Sequence, residues 1–120
     1  MQTTQIKGSG PFIKTADIEW EAPDPGITRQ VLGYDGELML VRVVFEAGAV
    51  GSPHQHPHRQ VSYVTSGAFE VTIDGETTTL REGDSFFVAP DLLHGAVCLE
   101  AGELLDVFAP ARETFVPESD

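Results

Sequence analysis

The apolar residues of this chain fall in short runs, and helical stripes are missing. No window of twelve or more residues repeats apolar positions at i, i+3, i+4 and i+7. ELMLVRVVFE (37–46) is apolar and β-branched, which predicts a strand. The segment QVSYVTSGAFEVTIDGETTTL (60–80) holds two turn signals. Ser66-Gly67 separates VSYVT from AFEVTI, and Asp74-Gly75, a favoured type I′ pair, separates AFEVTI from ETTTL. Further on, Gly83-Asp84 opens SFFVA, Gly95 precedes AVCLE and Ala101-Gly102 precedes ELLDVF. The 12 glycines and 8 prolines are spread through the chain, so they punctuate short segments. Short strands with a turn roughly every 8–12 residues predict an all-β antiparallel sandwich or barrel. No repeat, low-complexity segment or boundary interrupts the pattern. Residues 1–120 therefore read as one domain, with 1–16 as an N-terminal arm or edge strand and 117–120 as a solvated tail.

Composition narrows the partners. A chain of 120 residues can hide roughly two-thirds of its unfolded surface, enough for a real core. Seven basic residues against nineteen acidic leave a net charge of −12, which argues against nucleic acid and anionic membranes as partners. The N-terminal MQTTQIKGSGPF has no apolar signal-peptide core, and no apolar run approaches the ~20 residues of a membrane helix. A reducing cytoplasm is the expected compartment. The single cysteine, Cys98, excludes an internal disulfide and a thiolate zinc cluster; within AVCLE it reads as a small core residue.

The chemistry concentrates in GSPHQHPHRQ (51–60). The chain has four histidines, and three of them, His54, His56 and His58, stand one residue apart here; the fourth is His94, in VAPDLLHG. On a strand, histidines at i and i+2 share a face and can reach one ion. His54 and His56 meet that spacing. His58 and Gln60 have the same parity, but Pro57 is disfavoured in a central strand and makes the register beyond it uncertain. A solvated polar loop would explain three clustered histidines equally simply. The confinement of every histidine to two places favours a metal site.

These residues resemble the first cupin motif, G(X)5HXH(X)3–4E(X)6G, through Gly48, His54, His56, Gln60 and Gly67, with Gln60 in place of the family's glutamate. The second motif, G(X)5PXG(X)2H, is matched loosely by Gly83 and His94; Ala89 and Asp91 stand at its proline and glycine positions. The resemblance implies a single cupin β-barrel, of the double-stranded β-helix or jelly-roll type. It also implies one divalent transition-metal ion on His54, His56, Gln60 and His94, leaving nickel, zinc, manganese, iron and cobalt all open. His58 is then a surface or supporting histidine. Three imidazoles and an amide leave the ion's charge uncompensated, which suits an anionic oxygen ligand and Lewis-acid chemistry. An iron–oxygen triad would want a carboxylate, and none occupies that slot.

The last strand candidate, ELLDVFAPARETF (103–115), puts Leu104, Asp106 and Phe108 on one face. A buried aspartate between apolar neighbours needs a partner or a purpose. Asp106 as acid/base, Phe108 as aromatic wall and Arg112 as carboxylate clamp form one reading; a structural Asp106–Arg112 ion pair is the other, and the residues alone do not separate them. From Trp20 to Val116, however, the chain is similar to small single-domain cupins of pectin degradation (KdgF-like proteins). HPHRQ, EGDSFFVAP, APDLLHG and LLDVFAPARETF carry the resemblance. It implies metal-dependent linearisation of 4,5-unsaturated monouronates, from pectin or alginate, to the open 4-deoxy-5-keto form. It assigns the catalytic roles to Asp106, Arg112 and Phe108 and the substrate to a small anionic sugar acid. Cupin relatives often pair through sheet edges, so a homodimer is expected. The competing expectations are a cupin dioxygenase on a small organic substrate and a non-catalytic sugar-acid-binding cupin.

Overall fold

The computed structural model describes residues 6–117. Eight strands follow one another: β1 (Glu21–Asp24), β2 (Ile27–Tyr34), β3 (Met39–Phe45), β4 (Val50–His54), β5 (Arg59–Ile73), β6 (Glu76–Arg81), β7 (Ser85–Val88) and β8 (His94–Ala109). The helical content among the described residues is two short 3₁₀ turns, Thr15–Asp17 and Glu113–Phe115. Every strand pair is antiparallel. The all-β barrel expected from the pattern is observed. Residues 6–14 run as an arm without strand pairing, tied to β2 by Ser9, whose amide donates to the Tyr34 carbonyl at 2.9 Å. Residues 1–5 of the expected arm and 118–120 of the expected tail lie outside the described residues.

The two longest strands build the barrel, each serving two sheets. The first half of β5 and the second half of β8 pair with each other, and are flanked by β7 and β3. The second half of β5 and the first half of β8 also pair with each other, and are flanked by β6 and β4. The chain thus turns a corner inside both strands, where the β5–β8 register shifts between Val64 and Phe69. This corrects the expectation that Ser66-Gly67 and Ala101-Gly102 end strands: both pairs bend a continuous strand. Irregularities of this kind re-aim a strand without ending it. The glycines are required because the two backbones nearly touch. A Cβ on Gly67, whose φ is +82°, would lie 2.5 Å from the Glu100 carbonyl oxygen. Asp74-Gly75 behaves as expected; both residues have positive φ and close the β5–β6 hairpin.

Inward side chains alternate with outward ones along β3, where Met39, Val41, Val43 and Phe45 are buried. They meet Val64 and Phe69 from β5 and Leu104 and Phe108 from β8. Cys98 is buried in this core, as expected. Ile27, Val43, Phe45, Leu104 and Phe108 belong to the core and also line a cavity. Polar residues on the same inward faces, among them Gln60 and Ser62 on β5 and Asp106 on β8, mark where apolar packing gives way to a cavity.

Candidate metal centre and cavity

Three histidines converge at the mouth of the barrel. His54 ends β4 and is paired across the ladder with His94, the first residue of β8. His56 comes from the loop after β4. The strand geometry expected for His54 and His56 is therefore replaced by a strand end followed by a loop; the chain leaves the ladder before Pro57 is reached. The loop is fixed by the Asp91 amide, which donates to the His56 carbonyl at 2.8 Å. Asp91 adopts φ +67°, the left-handed region for which the cupin motif uses glycine at this position. One nitrogen from each of His54, His56 and His94 lies within 4.8 Å of the others.

Their hydrogen bonds define which nitrogen faces inward. The Nδ1 atoms of His54, His56 and His94 lie 2.9, 3.1 and 2.9 Å from the backbone carbonyls of Ser52, His58 and Leu92. A carbonyl only accepts, so Nδ1 is the nitrogen that donates, and in the neutral ring Nε2 is the one left bare. Burial, then the charge of Arg112, pushes His56 down to about 4, and burial likewise lowers His94, so both rings are neutral near pH 7. His94 Nε2 is buried without a hydrogen-bond partner among the described residues. His56 Nε2 faces the Gln60 side-chain oxygen at 3.2 Å, lone pair against lone pair. Bare donors aimed at one point satisfy what a cation requires, and the cluster is able to bind a metal ion.

His58 is not a surface residue. Its side chain is buried, its Nε2 lies 2.8 Å from Glu113 Oε1, and its ring stacks edge-on to His56. It stands outside the three-histidine group and supports His56 through its backbone carbonyl and its ring.

A cavity of about 350 Å³ opens beside the histidines. Asp106, Phe108 and Arg112 all line it with His54, Gln60 and His94. The face shared by Leu104, Asp106 and Phe108 is the inward one. The alternative ion pair does not form. Asp106 accepts the Ser62 hydroxyl at 2.5 Å, and among the described residues no carboxylate lies within salt-bridge distance of Arg112. Burial raises Asp106 to about 6, against the opposing effects of Ser62 and Arg112. Arg112 is held by rings: its guanidinium carbon lies 4.4 Å from the Phe115 centroid and 5.2 Å from that of Phe108.

Sequence reasoning overlooked Ser62 and Arg29. Ser62 shares the parity of Gln60 on β5, so period two could have exposed it. Arg29, from β2, lines the cavity, stacks 3.8 Å from the Phe115 centroid and pairs with Glu21 at 2.9 Å. No local motif points to it.

A jelly-roll barrel with histidines converging at its mouth defines a class, and the chain belongs to it: residues 41–108 match the cupin domain family. Within that family the chain is 42% identical over 102 residues to the pectin degradation protein KdgF of Dickeya dadantii, covering 83% of this chain and 93% of that protein. The structure of KdgF from Halomonas sp. superposes with a TM-score of 0.83 at 42% identity, covering 89% of this chain and 99% of that one. An RmlC-like cupin from Shewanella frigidimarina superposes with a TM-score of 0.89 at 48% identity, covering 92% and 100%.

Proposed function

We propose that this protein opens the ring of 4,5-unsaturated monouronates released from pectin or alginate, giving the open-chain 4-deoxy-5-keto acid. The observation that carries the reading is the cavity itself. A guanidinium with no carboxylate partner among the described residues, a carboxylate titrating near neutrality and the imidazoles of His54 and His94 line one space of monosaccharide size, with His56 completing the histidine cluster beside it. The kinship with a pectin degradation protein supplies the substrate class.

His54, His56, His94 and the oxygen of Gln60 would hold one divalent transition-metal ion. Such an ion supplies Lewis acidity toward the substrate carboxylate and ring oxygen. Arg112 would grip the carboxylate through its planar fork, and Phe108 would wall the sugar face. Asp106 would accept the proton of the anomeric hydroxyl. As the C1 carbonyl forms, the bond from C1 to the ring oxygen breaks and its electron pair leaves on that oxygen. The resulting enolate collapses to the 5-keto group while the proton held by Asp106 is delivered to C4. Atoms and electrons balance without an oxidant, and a carboxyl near pKa 6 serves both directions of proton transfer at neutral pH.

The assay follows the conjugated near-ultraviolet absorbance of unsaturated monouronate. Faster loss with protein than without is expected; no acceleration on sugars of either origin would remove the proposal. Gln60→Glu is expected to keep the ion while lowering kcat/KM about tenfold or more, because an added charge a few ångströms away repels the substrate carboxylate. Metal content and kinetics on the same preparation check it.

We also propose a homodimer. An apolar row, Leu40–Val107–Val61–Phe87, crosses the outer face of one sheet in register, with Val61 and Phe87 43% and 58% exposed. Light scattering that returns the 13.0 kDa of a single chain would rule it out.

A further inference from the structure

Gln60 and Ser62 project from β5 toward Phe108 and Asp106, their register partners on β8. Three polar side chains form a line there. The Gln60 amide nitrogen donates to Ser62 Oγ at 2.9 Å, and Ser62 Oγ donates to Asp106 Oδ1 at 2.5 Å. Ser62 is fully buried. A hydroxyl has a single proton. Once that proton is given to the Asp106 carboxylate, Ser62 can only accept from residue 60. The side chain at 60 must then turn an N–H toward Ser62, and its carbonyl oxygen necessarily points the other way, toward His56 and the centre of the histidine cluster.

We propose that Ser62 is a positioning residue that couples the metal centre to Asp106, holding the Gln60 oxygen toward the ion and the Asp106 carboxylate toward the cavity. The coupling gives the glutamine a second reason to exist. A glutamate at 60, the residue of the cupin motif, would leave two carboxylates competing for one hydroxyl proton. Only an amide offers an oxygen at one end and a donor at the other. The proposal rests on Gln60 as a ligand, but its test uses metal ion without sugar, so failure of the uronate assignment leaves it standing.

Asp106 is surrounded by few other charges that could mimic the effect. Arg112 follows β8 and Arg29 lies on β2; His54 and His94 line the same cavity, His56 stands behind them, and β3 offers Val41 opposite.

Two measurements test the coupling. In the first, nickel(II) affinity is measured by chelator competition, and the Asp106 carboxyl is titrated by carbon NMR in metal-free protein. Ser62→Ala is expected to weaken nickel binding about tenfold, as loss of a group that orients a ligand commonly does. It should also move the Asp106 midpoint upward, and Ser62→Thr should restore both. Unchanged nickel affinity in folded Ser62→Ala overturns the proposal, as does a loss that Ser62→Thr fails to repair. The second measurement needs no variant. In the wild-type protein without metal, the Gln60 side-chain amide resonances are expected to shift with the Asp106 titration; resonances flat across that midpoint overturn the coupling.

Discussion

Asp106→Asn is expected to lower turnover about a thousandfold and, in the same protein, to raise thermal stability. The first effect follows from the role proposed for the carboxylate: general acid–base groups contribute roughly 10²–10⁴-fold. The second follows from burial. A carboxyl at about 6 in the folded protein and 3.8 unfolded is stabilising to bury only while protonated. Below pH 3.8 both states carry the proton and the ionisation costs nothing. As pH rises from there through about 6, the unfolded state releases its proton first and wild-type stability falls, by about 3 kcal/mol once Asp106 is ionised. Asparagine keeps an oxygen for the Ser62 hydroxyl and avoids this cost. Thermal unfolding of metal-free protein at pH 7 should show the variant higher by several degrees, and at pH 4 the two curves should nearly coincide. A variant that is inactive but no more stable at pH 7 would contradict the environment described for Asp106. A variant that stays active would contradict its role.

Removal of the metal is expected to abolish turnover altogether and to destabilise the fold. Dialysis against a strong chelator should leave no acceleration above background, and a divalent transition metal added back should restore it. Because the folded cluster alone gathers the three histidines, an ion present at a hundred times its dissociation constant adds about 2.7 kcal/mol of stability. For a domain of this size that is roughly 10 °C in melting temperature. His94→Ala should match the stripped protein in turnover and melt no higher than it, since the variant loses the Nε2 donor and, with the buried ring, the Nδ1 contact to Leu92 as well. Full activity after complete stripping would show that Asp106 and Arg112 act alone.

Much of this was legible in the residues, for reasons that also explain what was not. β3, β6, β7 and both halves of β8 stand out because β-branched and aromatic residues alternate between turn signals. β1, β2 and β4 do not; β4 is VGSPH, with no apolar face, and exists because its backbone pairs with β8. Ser66-Gly67 and Ala101-Gly102 read as breaks because a sharp bend and a strand end both require small residues, and local composition does not distinguish them. The histidines were legible through spacing, since ligands must converge whatever holds them. Of the two places open to His58, surface or support, only the fold decides, because its partner Glu113 is brought back by the chain after β8. Arg29 was invisible for the same reason: it reaches the cavity through β2–β3–β8 pairing, a long-range arrangement with no local signature.

The bent pair β5–β8 has a consequence for motion. Each half of this ladder has a neighbouring strand on both sides, so its opening requires disruption of a whole sheet. Gln60, Ser62, Asp106 and Phe108 ride on that pair. His56 sits on a loop, and Arg112 and Phe115 lie on the short segment after β8, with far less backbone pairing. One wall of the cavity therefore behaves as an anvil and the other as a spring. The carboxylate proposed to handle the proton rides on the stiff side, and the backbone with the least pairing to lose as a sugar enters or its linear product leaves is that of His56, Arg112 and Phe115.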